Sequence, residues 1–224
     1  MLKIPICVMT YERADYFHKS MQSLLKTDIS KAEVIVFDDC SKRDDKIKML
    51  EYYKKLGTKI IVNHRQLQTK RMFVTMLRYS LANFDSDCFI VTQDDAIYNK
   101  QWLNKLLEIK DDIPNLGILT PWDRRCALMS NKTGWIYRNM QGSSCSIGGV
   151  CWLVTRKFAS TILKMKCNGG NHYDSAYQKT CNSKGFDIAS TVPSYVQHFG
   201  ATRIVRKVLN RKRFPRAGNF VGEE

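Results

Sequence analysis

The sequence predicts a single α/β domain with a mainly parallel central sheet and helices on both faces. Short apolar runs rich in β-branched residues alternate with longer segments in which apolar residues recur at helical spacing. This alternation favours right-handed crossovers, and therefore neighbouring strands that run parallel. The 224 residues, of which 44% are hydrophobic and 25% charged, suit one globular core rather than a disordered chain or a membrane protein.

Four strands, each followed by a helix, are predicted in the first half of the chain. The strands are KIPICVMT, EVIVFDD, TKIIVN and DCFIVTQDD, each of which is a short apolar run. The helices are ADYFHKSMQSLLKT, DDKIKMLEYYKKLG, QTKRMFVTMLRYSLANF and NKQWLNKLLEIK. In the first helix we expect Tyr16 or Phe17, Met21, Leu24 and Leu25 on the buried face.

The second half, from about residue 116, is less regular. We predict strands at NLGILTPW, SIGGVCWLVTRKF and DIAST, and helices at ASTILKMK and HYDSAYQKTCNSKG. Residues 124–144 are predicted to form a long loop or hairpin. The last twenty residues carry little apolar periodicity. We therefore expect residues 1–202 to form the domain and residues 203–224 to form a basic carboxyl-terminal extension.

Two pairs of adjacent carboxylates end two of the predicted strands. Asp38 and Asp39 end the second strand, and Asp94 and Asp95 end the fourth. Adjacent carboxylates repel each other, and hard divalent cations are their usual partners. Because ligands of open parallel sheets bind outside the carboxyl ends of the strands, both pairs predict one crevice for a nucleotide and a metal. The alternative is that Asp94 and Asp95 cap a helix beginning near Asn99.

The formal charge of +15 indicates an anionic partner, such as nucleic acid, a membrane surface or a phosphorylated substrate. Seven basic residues and no acidic ones lie near the end of the chain; they are Arg203, Arg206, Lys207, Arg211, Lys212, Arg213 and Arg216. Without them and the two terminal glutamates, 29 basic and 19 acidic residues remain. The extension therefore concentrates the positive charge but does not account for all of it.

We expect a cytoplasmic protein. No apolar run approaches the ~18 to 20 residues of a bilayer span, and the amino terminus lacks the apolar core of a signal peptide. The eight cysteines form no CxxC pair, and Cys145 and Cys151 do not have the spacing of zinc ligands. Reduced structural thiols are therefore expected.

The order of several motifs resembles a GT-A-fold glycosyltransferase that uses a nucleotide sugar, similar to family 2 and its relatives. IPICVMTYERADYFHKSMQSL resembles the opening strand with its nucleotide-binding turn, and EVIVFDDCS resembles the strand that binds the nucleobase. VTQDDAIYNKQWL resembles the Glu-Asp-Asp form of the D-x-D motif, with Gln93 replacing the first acid. IGGVCWLVTRKF resembles the strand beside the donor sugar, and HYDSAYQKTCNSKGFDIASTVPSYVQHFG the helix of the catalytic acid with a late histidine. The resemblance covers about residues 3 to 200.

This resemblance implies a GT-A (Rossmann-like) domain and assigns roles to particular residues. Residues that would bind the donor nucleotide are Thr10, Tyr11, Arg13, Asp39, Lys70, Arg71, Asp94 and Gly149, with Asp39 at the nucleobase and Asp94 at the ribose. Asp95 and His198 would bind Mn²⁺ or Mg²⁺. Lys70 and Arg71 have the alternative of a solvated helix surface, Gly149 that of a bulge, and His198 that of a structural histidine.

Asp174 is implied as the general base, because it stands where the family places the second acid of a Glu-Asp pair. Tyr173 replaces the Glu of that pair. If Asp174 removes the acceptor's proton, direct displacement and inversion at the anomeric carbon follow. The alternative is a surface Asp in the first turn of a helix, where the helix dipole favours a negative charge.

The acceptor is the least determined part of the prediction. The donor is expected to be a nucleoside diphosphate sugar, with a UDP-sugar favoured. For the acceptor the charge favours DNA with hydroxymethylated bases, as used by some bacteriophage glycosyltransferases, in which case the enzyme would act in the host cytoplasm. Six residues of the extension, from Arg203 to Arg213, would then bind the polyanion. The alternatives are a surface polysaccharide or lipid-linked acceptor, and a non-catalytic basic nucleic-acid-binding module.

Overall fold

The computed structural model describes residues 3–122, 134–137, 147–165, 173–200 and 220–221. Within these ranges the chain forms one large sheet, a short two-stranded ribbon and helices on both sides. The elements in chain order are β1 (Ile4–Thr10), α1 (Ala14–Leu25), β2 (Ala32–Asp38), α2 (Asp44–Lys55), β3 (Lys59–Val62), α3 (Gln68–Asn83), β4 (Cys88–Gln93), β5 (Ala96–Tyr98), α4 (Trp102–Asp111), β6 (Leu116–Thr120), β7 (Gly134–Tyr137), β8 (Cys151–Thr155), α5 (Arg156–Lys164), α6 (Tyr173–Ser183), β9 (Asp187–Val192) and β10 (Val196–His198).

The large sheet has the strand order β3-β2-β1-β4-β8-β6-β9-β7. Strands β3, β2, β1 and β4 are parallel neighbours, and so are β6 and β9. Strand β8 runs antiparallel to both β4 and β6, and β7 runs antiparallel to β9. The prediction of a single α/β domain with a mainly parallel sheet is confirmed.

Alternate residues of the central strands face two separate apolar cores. Ile6 and Val8 of β1 belong to the core that α1, α2 and α4 cover. Cys7 and Met9 belong to the core that α3, α5 and α6 cover. This alternation follows from the two-residue period of a strand, and it confirms the prediction of helices on both faces. None of the described helices is long and apolar enough to span a bilayer.

Two predicted helices begin at other residues in the structure, and one predicted buried residue is exposed. Helix α4 begins at Trp102 rather than at Asn99, because Asn99 accepts the backbone N–H groups of Gln101 and Trp102 in a turn between β5 and the helix. Helix α5 begins at Arg156, three residues earlier than predicted, because the hydroxyl of Thr155 accepts the backbone N–H of Phe158 and caps it. In α1, Leu25 is exposed instead of buried.

The described cysteines are separate thiols. These are Cys7, Cys40, Cys88, Cys151 and Cys181. Burial raises the pKa of the Cys7 thiol to about 12, against a weaker opposite effect of its contact with Ser80. Such a thiol is protonated at neutral pH and behaves as a small apolar side chain, as predicted for this residue.

Little of the basic extension falls within the described residues. The seven basic residues from Arg203 to Arg216 lie outside them. Phe220 forms a β-bridge with Ser194, and the side-chain amide of Asn99 donates to the carbonyl of Val221 at 2.6 Å. Phe220 and Val221 therefore lie beside the β5–β10 ribbon.

Candidate functional site

The carboxyl ends of β1, β2 and β4 bring both acidic pairs to the same edge of the sheet. Strand β1 lies between the other two, with Thr10 opposite Asp38 and Met9 opposite Gln93 in the strand register. The acidic pairs directly follow these positions, and the backbone N–H of Asp39 donates to the carbonyl of Thr10 at 2.9 Å. Parallel pairing thus brings both acidic pairs to one edge of the sheet, where the sequence predicts the crevice.

Arg13 bridges the two adjacent carboxylates. One terminal nitrogen of its guanidinium lies 2.7 Å from Oδ2 of Asp95, and the other contacts Oδ1 of Asp94. The hydroxyl of Thr10 donates to Oδ2 of Asp94 at 2.6 Å. Both carboxylates are almost fully buried. The guanidinium therefore supplies the positive charge that neighbouring buried carboxylates require.

The alternative in which Asp94 and Asp95 cap a helix is wrong. Helix α4 begins only at Trp102, beyond the strand β5. The side-chain oxygen of Asn99, and not a carboxylate, accepts the backbone N–H of Gln101 at 2.8 Å. The carboxylates face Arg13 and Thr10 instead.

Lys46 of α2 is a buried member of this site that sequence reasoning missed. Its Nζ donates to the hydroxyl of Thr10 at 2.5 Å and lies 3.5 Å from the centre of the Phe17 ring. Burial lowers the pKa of Lys46 to about 8, although the charges of Asp94 and Asp38 act in the opposite direction. A signal was present, because Lys46 precedes the buried Leu50 by four residues and so occupies the apolar face of α2.

The β5–β10 ribbon places His198 against Asp95. In this antiparallel ribbon Ala96 pairs with His198, and Nε2 of the histidine lies 3.2 Å from Oδ2 of Asp95. Burial acts to raise the pKa of Asp95, but its contacts with His198 and Arg13 outweigh burial and lower it to about 2. Burial is the largest influence on Asp94 and raises the pKa of that carboxyl. Asp95 is thus the more firmly ionised member of the pair.

Two glycines pack directly against side chains of the site. A Cβ at Gly200 would lie 2.1 Å from Oδ2 of Asp95, and a Cβ at Gly148 would lie 2.2 Å from the indole of Trp122. That indole makes an edge contact with the ring of His198, with centroids 5.8 Å apart. The requirement at Gly200 and Gly148 is space, and sequence reasoning identified neither constraint.

Gly149 lies near the acidic pair. It directly precedes Val150, whose carbonyl accepts the backbone N–H of Gln93 at 2.9 Å. Because Asp94 follows Gln93, this hydrogen bond holds the glycine-led segment beside the end of β4. The structure therefore places Gly149 beside the end of β4, and its contact with the donor stays a prediction.

The residues present fit a divalent cation that completes its coordination with ligand oxygens. Within the described ranges, no three Asp, Glu, His or Cys side chains come together as a metal cage. However, Mg²⁺ is usually bound by one or two carboxylates, water and substrate phosphates. Asp95 and His198 are adjacent, and Oδ1 of Asp95 is buried with no hydrogen-bond partner in the described structure. A cation at this oxygen would offset the cost of burying it.

Asp39 contacts the start of α3. Its carboxylate accepts the backbone N–H groups of Leu67 and Gln68 at 2.6 and 2.9 Å, and the side-chain amide of Asn63 at 3.3 Å. These bonds tie the end of β2 to the segment that opens α3. They hold Asp39 at the crevice, where the sequence predicts the nucleobase.

Four other predicted residues lie just after β1 and in the first turns of α3 and α6. Tyr11 is 39% exposed at the end of β1. Lys70 and Arg71 stand in the first turn of α3, on the wall of a groove shared with α5. Asp174 is half-buried in the first turn of α6, a position compatible with a base and with a dipole-stabilised Asp. The residues of the cluster are thus Thr10, Arg13, Asp94, Asp95 and His198.

Solved glycosyltransferase structures share this fold. The mannosyltransferase PcManGT from Pyrobaculum calidifontis, in complex with GDP-Man and Mn²⁺, has a TM-score of 0.61 and 15% identity over 87% of this chain and 59% of its own. GalNAc-T7 with UDP, GalNAc and Mn²⁺ has a TM-score of 0.63 and 15% identity, covering 91% of this chain and 44% of its own. TarS from S. aureus has a TM-score of 0.57 and 17% identity, covering 87% of this chain and 36% of its own.

The chain spans between about a third and three fifths of the length of these structures. At such low identity the likeness shows the GT-A fold alone. No curated protein matches the sequence significantly. The family model described as "Glycosyl transferase family 2" matches residues 6–144, more than half of the chain. The chain therefore belongs to glycosyl transferase family 2.

Proposed function

We propose that this protein is a metal-dependent glycosyltransferase that moves a sugar from a nucleoside diphosphate sugar, with UDP-sugar favoured, to a hydroxyl acceptor. The observation that carries the proposal is the cluster in which the partly exposed Arg13 contacts the buried Asp94 and Asp95, with the buried His198 against Asp95, at the carboxyl ends of β1 and β4. The relatives of similar fold include two solved with a nucleotide or nucleotide sugar and Mn²⁺. These observations support a donor with a diphosphate and a metal ion.

Donor binding is assigned to the residues that surround the crevice. Asp39 and Asp94 would accept hydrogen bonds from the nucleobase and the ribose, and Arg13 would donate to a diphosphate oxygen. Asp95 and His198 would hold Mn²⁺ or Mg²⁺. Such an ion, when bound, stabilises the negative charge that develops on the departing diphosphate.

The transfer step is assigned to Asp174. Its carboxylate would take the proton from the acceptor hydroxyl as the oxygen attacks the anomeric carbon. The bond between that carbon and the diphosphate oxygen breaks with its electron pair leaving on the diphosphate. A single displacement of this kind inverts the configuration at the anomeric carbon.

For the acceptor we propose DNA with hydroxymethylated bases, which would make the protein a cytoplasmic DNA-modifying enzyme of bacteriophage type. The formal charge of +15 supports a polyanionic partner. Chemistry on a base requires that the base be extruded or already unpaired. The six basic residues Arg203, Arg206, Lys207, Arg211, Lys212 and Arg213 would contribute to binding. A surface polysaccharide or lipid-linked acceptor is the alternative, because basic residues also bind anionic lipid.

One incubation series tests the donor and the acceptor together. The protein is incubated with Mn²⁺, a panel of nucleotide sugars and either plain or hydroxymethylated DNA. The DNA is then digested to nucleosides, and their masses are measured by mass spectrometry. We expect one donor to add the mass of its sugar to hydroxymethylated nucleosides only. Hydrolysis of a donor without transfer to DNA would retain the enzyme and reject the DNA acceptor. If no donor is hydrolysed with any acceptor, the protein is a non-catalytic binding module.

A further inference from the structure

A second concave site lies on the face of the sheet that carries α3, α5 and α6. It is a groove of about 1000 Å³ between α3 and the end of α5, at the upper end of the range for ligand pockets. Its lining residues are Arg65, Gln66, Leu67, Gln68, Lys70, Arg71, Val74, Thr75, Arg78, Ile162, Leu163, Met165 and Tyr177. The carboxylates of the crevice are not part of this lining.

The wall formed by α3 and the loop before it is strongly basic. Arg65, Lys70, Arg71 and Arg78 line the groove, and none of its lining residues is acidic. Helix α3 itself contains no Asp or Glu. Arg71 and Arg78 are seven residues apart, so they lie on the same face of α3 one above the other. The groove therefore presents a row of basic side chains and no acidic residue among those that line it.

The floor of the groove is apolar and fixed in position. Val74 of α3 faces Ile162, Leu163 and Met165 from the end of α5. The buried ring of Tyr177 stacks on Phe73 with centroids 4.8 Å apart, which packs α6 against α3 beneath the groove. An apolar floor between cationic side chains suits a ligand that has both flat apolar groups and regularly spaced anions.

We propose that this groove binds a single-stranded segment of the nucleic-acid acceptor, with phosphates on the arginine wall and bases on the apolar floor. The inference rests on the proposed function, and it names the surface that holds the acceptor. A concave groove suits a polymer strand better than it suits a flat bilayer. A duplex places its bases inside and would leave the apolar floor without a partner. The first turn of α3 also borders the crevice through Asp39, so a strand in the groove passes close to the donor.

The test compares two double charge reversals of equal charge change at different places on the molecule. Arg65→Glu with Arg78→Glu alters the groove, whereas Lys48→Glu with Lys55→Glu alters exposed residues of α2 on the opposite face of the sheet. Binding of a short fluorescent single-stranded DNA oligonucleotide is titrated by anisotropy at several salt concentrations. All four positions are exposed, so both variants are expected to fold, which circular dichroism verifies.

We expect the affinity of the groove variant to fall at least ~10-fold at low salt, and its log–log salt slope to shrink by about 0.7 for each phosphate that the variant no longer binds. The affinity of the α2 variant should fall clearly less. Equal falls in the two variants, or a groove variant that binds like wild type, would overturn the inference. So would a wild-type protein that binds duplex DNA or anionic vesicles but not the single strand. Donor hydrolysis by the wild type, measured separately, decides the proposed activity whatever the outcome of this binding test.

If the charge reversals disturb folding, Arg65→Gln with Arg78→Gln replaces them, with Lys48→Gln and Lys55→Gln as the control. The expected fall in affinity is then smaller, because charge is removed rather than inverted. The same ranking of the two variants supports the inference, and the reverse ranking contradicts it.

Discussion

At the scale of single residues, the site depends on how two adjacent buried carboxylates are neutralised. Arg13 contacts both of them, and the hydroxyl of Thr10 donates to Asp94. Nζ of Lys46 in turn donates to the hydroxyl of Thr10. The two cations come from different segments of the chain, and burial makes the charges of Lys46, Asp94 and Asp95 costly without their partners. The local fold is therefore coupled to the charge of Asp94 and Asp95.

Replacing Asp95 by Asn tests the metal assignment. The substitution keeps the shape of the side chain but removes the negative charge that would bind Mn²⁺ or Mg²⁺. Loss of several kcal/mol of transition-state stabilisation corresponds to a fall in kcat/KM of at least about 100-fold. Initial rates with and without EDTA check the result. Asp87→Asn, at the opposite end of β4 in an exposed pair with Lys110, should leave the rate unchanged. Full activity of the Asp95 variant would reject metal binding by this residue.

Replacing Lys46 by Met tests whether the buried cation supports donor binding. We expect a higher KM for the donor with a smaller change in kcat, because Thr10 and Asp94 lose the charge that orders them. Lys48→Met, an exposed neighbour on the same helix, is the control and should not change KM. Steady-state kinetics over a range of donor concentrations separates the two parameters. An unchanged KM in the Lys46 variant would contradict this role.

The pKa of Lys46 also predicts how stability depends on pH. Burial depresses this pKa from 10.5 to about 8, so the folded protein releases the proton more readily than the unfolded chain. Wild-type stability should therefore rise, relative to Lys46→Met, as the pH increases from about 8 to 10.5, by up to about 3 kcal/mol. Below pH 8 the difference should be constant. Urea unfolding of both proteins across this pH range measures the difference in their free energies of unfolding. A difference that falls as the pH rises would contradict the prediction.

At the scale of secondary-structure elements, the first half of the chain could be predicted and the ribbon could not. Strand β1 has seven residues and helix α3 sixteen, which is enough for their periods to be read from the sequence. Strands β5 and β10 have three residues each, too few to show alternation. His198 was predicted only through the resemblance of its motif, and its contact with Asp95 depends on the long-range pairing of these two strands.

Gly200, at the end of the ribbon, provides a test of that pairing. A Cβ at this position would overlap Oδ2 of Asp95, so Gly200→Ala must displace the carboxylate or the ribbon. We expect metal-dependent activity to fall by ~10-fold or more, by analogy with other substitutions that misplace metal ligands. Gly57→Ala is the control, since it introduces backbone strain far from any other atom and should cost stability but not activity. Equal activities of the two variants would show that Gly200 is not needed to position Asp95.

Helix α6 carries the proposed base, and Asp174→Asn tests it. Removing a general base typically lowers the rate by ~10²–10⁴-fold. We expect this fall in kcat, while donor affinity measured by calorimetry stays nearly the same. A helix-stabilising role alone would instead lower the melting temperature and leave kcat close to wild type.

At the scale of the whole molecule, parallel topology explains why the crevice could be predicted before any contact was known. Polar residues that end β1, β2 and β4 must meet at one edge, whatever the packing of the helices. The distribution of positive charge was less accessible to sequence reasoning. The composition gave the net charge of the protein but not where the charge lies. The groove combines Arg65 from a loop, Arg78 from α3 and an apolar floor from α5, which are far apart in the sequence.

The basic extension is tested through the salt dependence of DNA binding. Replacing Arg211, Lys212 and Arg213 together by Gln should reduce the log–log slope on single-stranded DNA by up to about two units, if all three contact phosphates. Replacing Lys48, Lys54 and Lys55 of α2 by Gln is a control of equal charge. Anisotropy titrations at several salt concentrations measure both slopes. Identical slopes for the two variants would show that the extension does not contact the phosphates of the acceptor.

The bridge between Phe220 and Ser194 determines where a label can be attached. Because Asn99 also holds Val221, a fluorophore on a Val221→Cys variant lies at the Tyr98–Val196 end of the ribbon, whose other end carries His198. It can report the arrival of a quencher-labelled nucleotide by energy transfer. Strand β1 starts at Ile4, on the opposite edge of the sheet from the crevice, so affinity tags belong at the amino end.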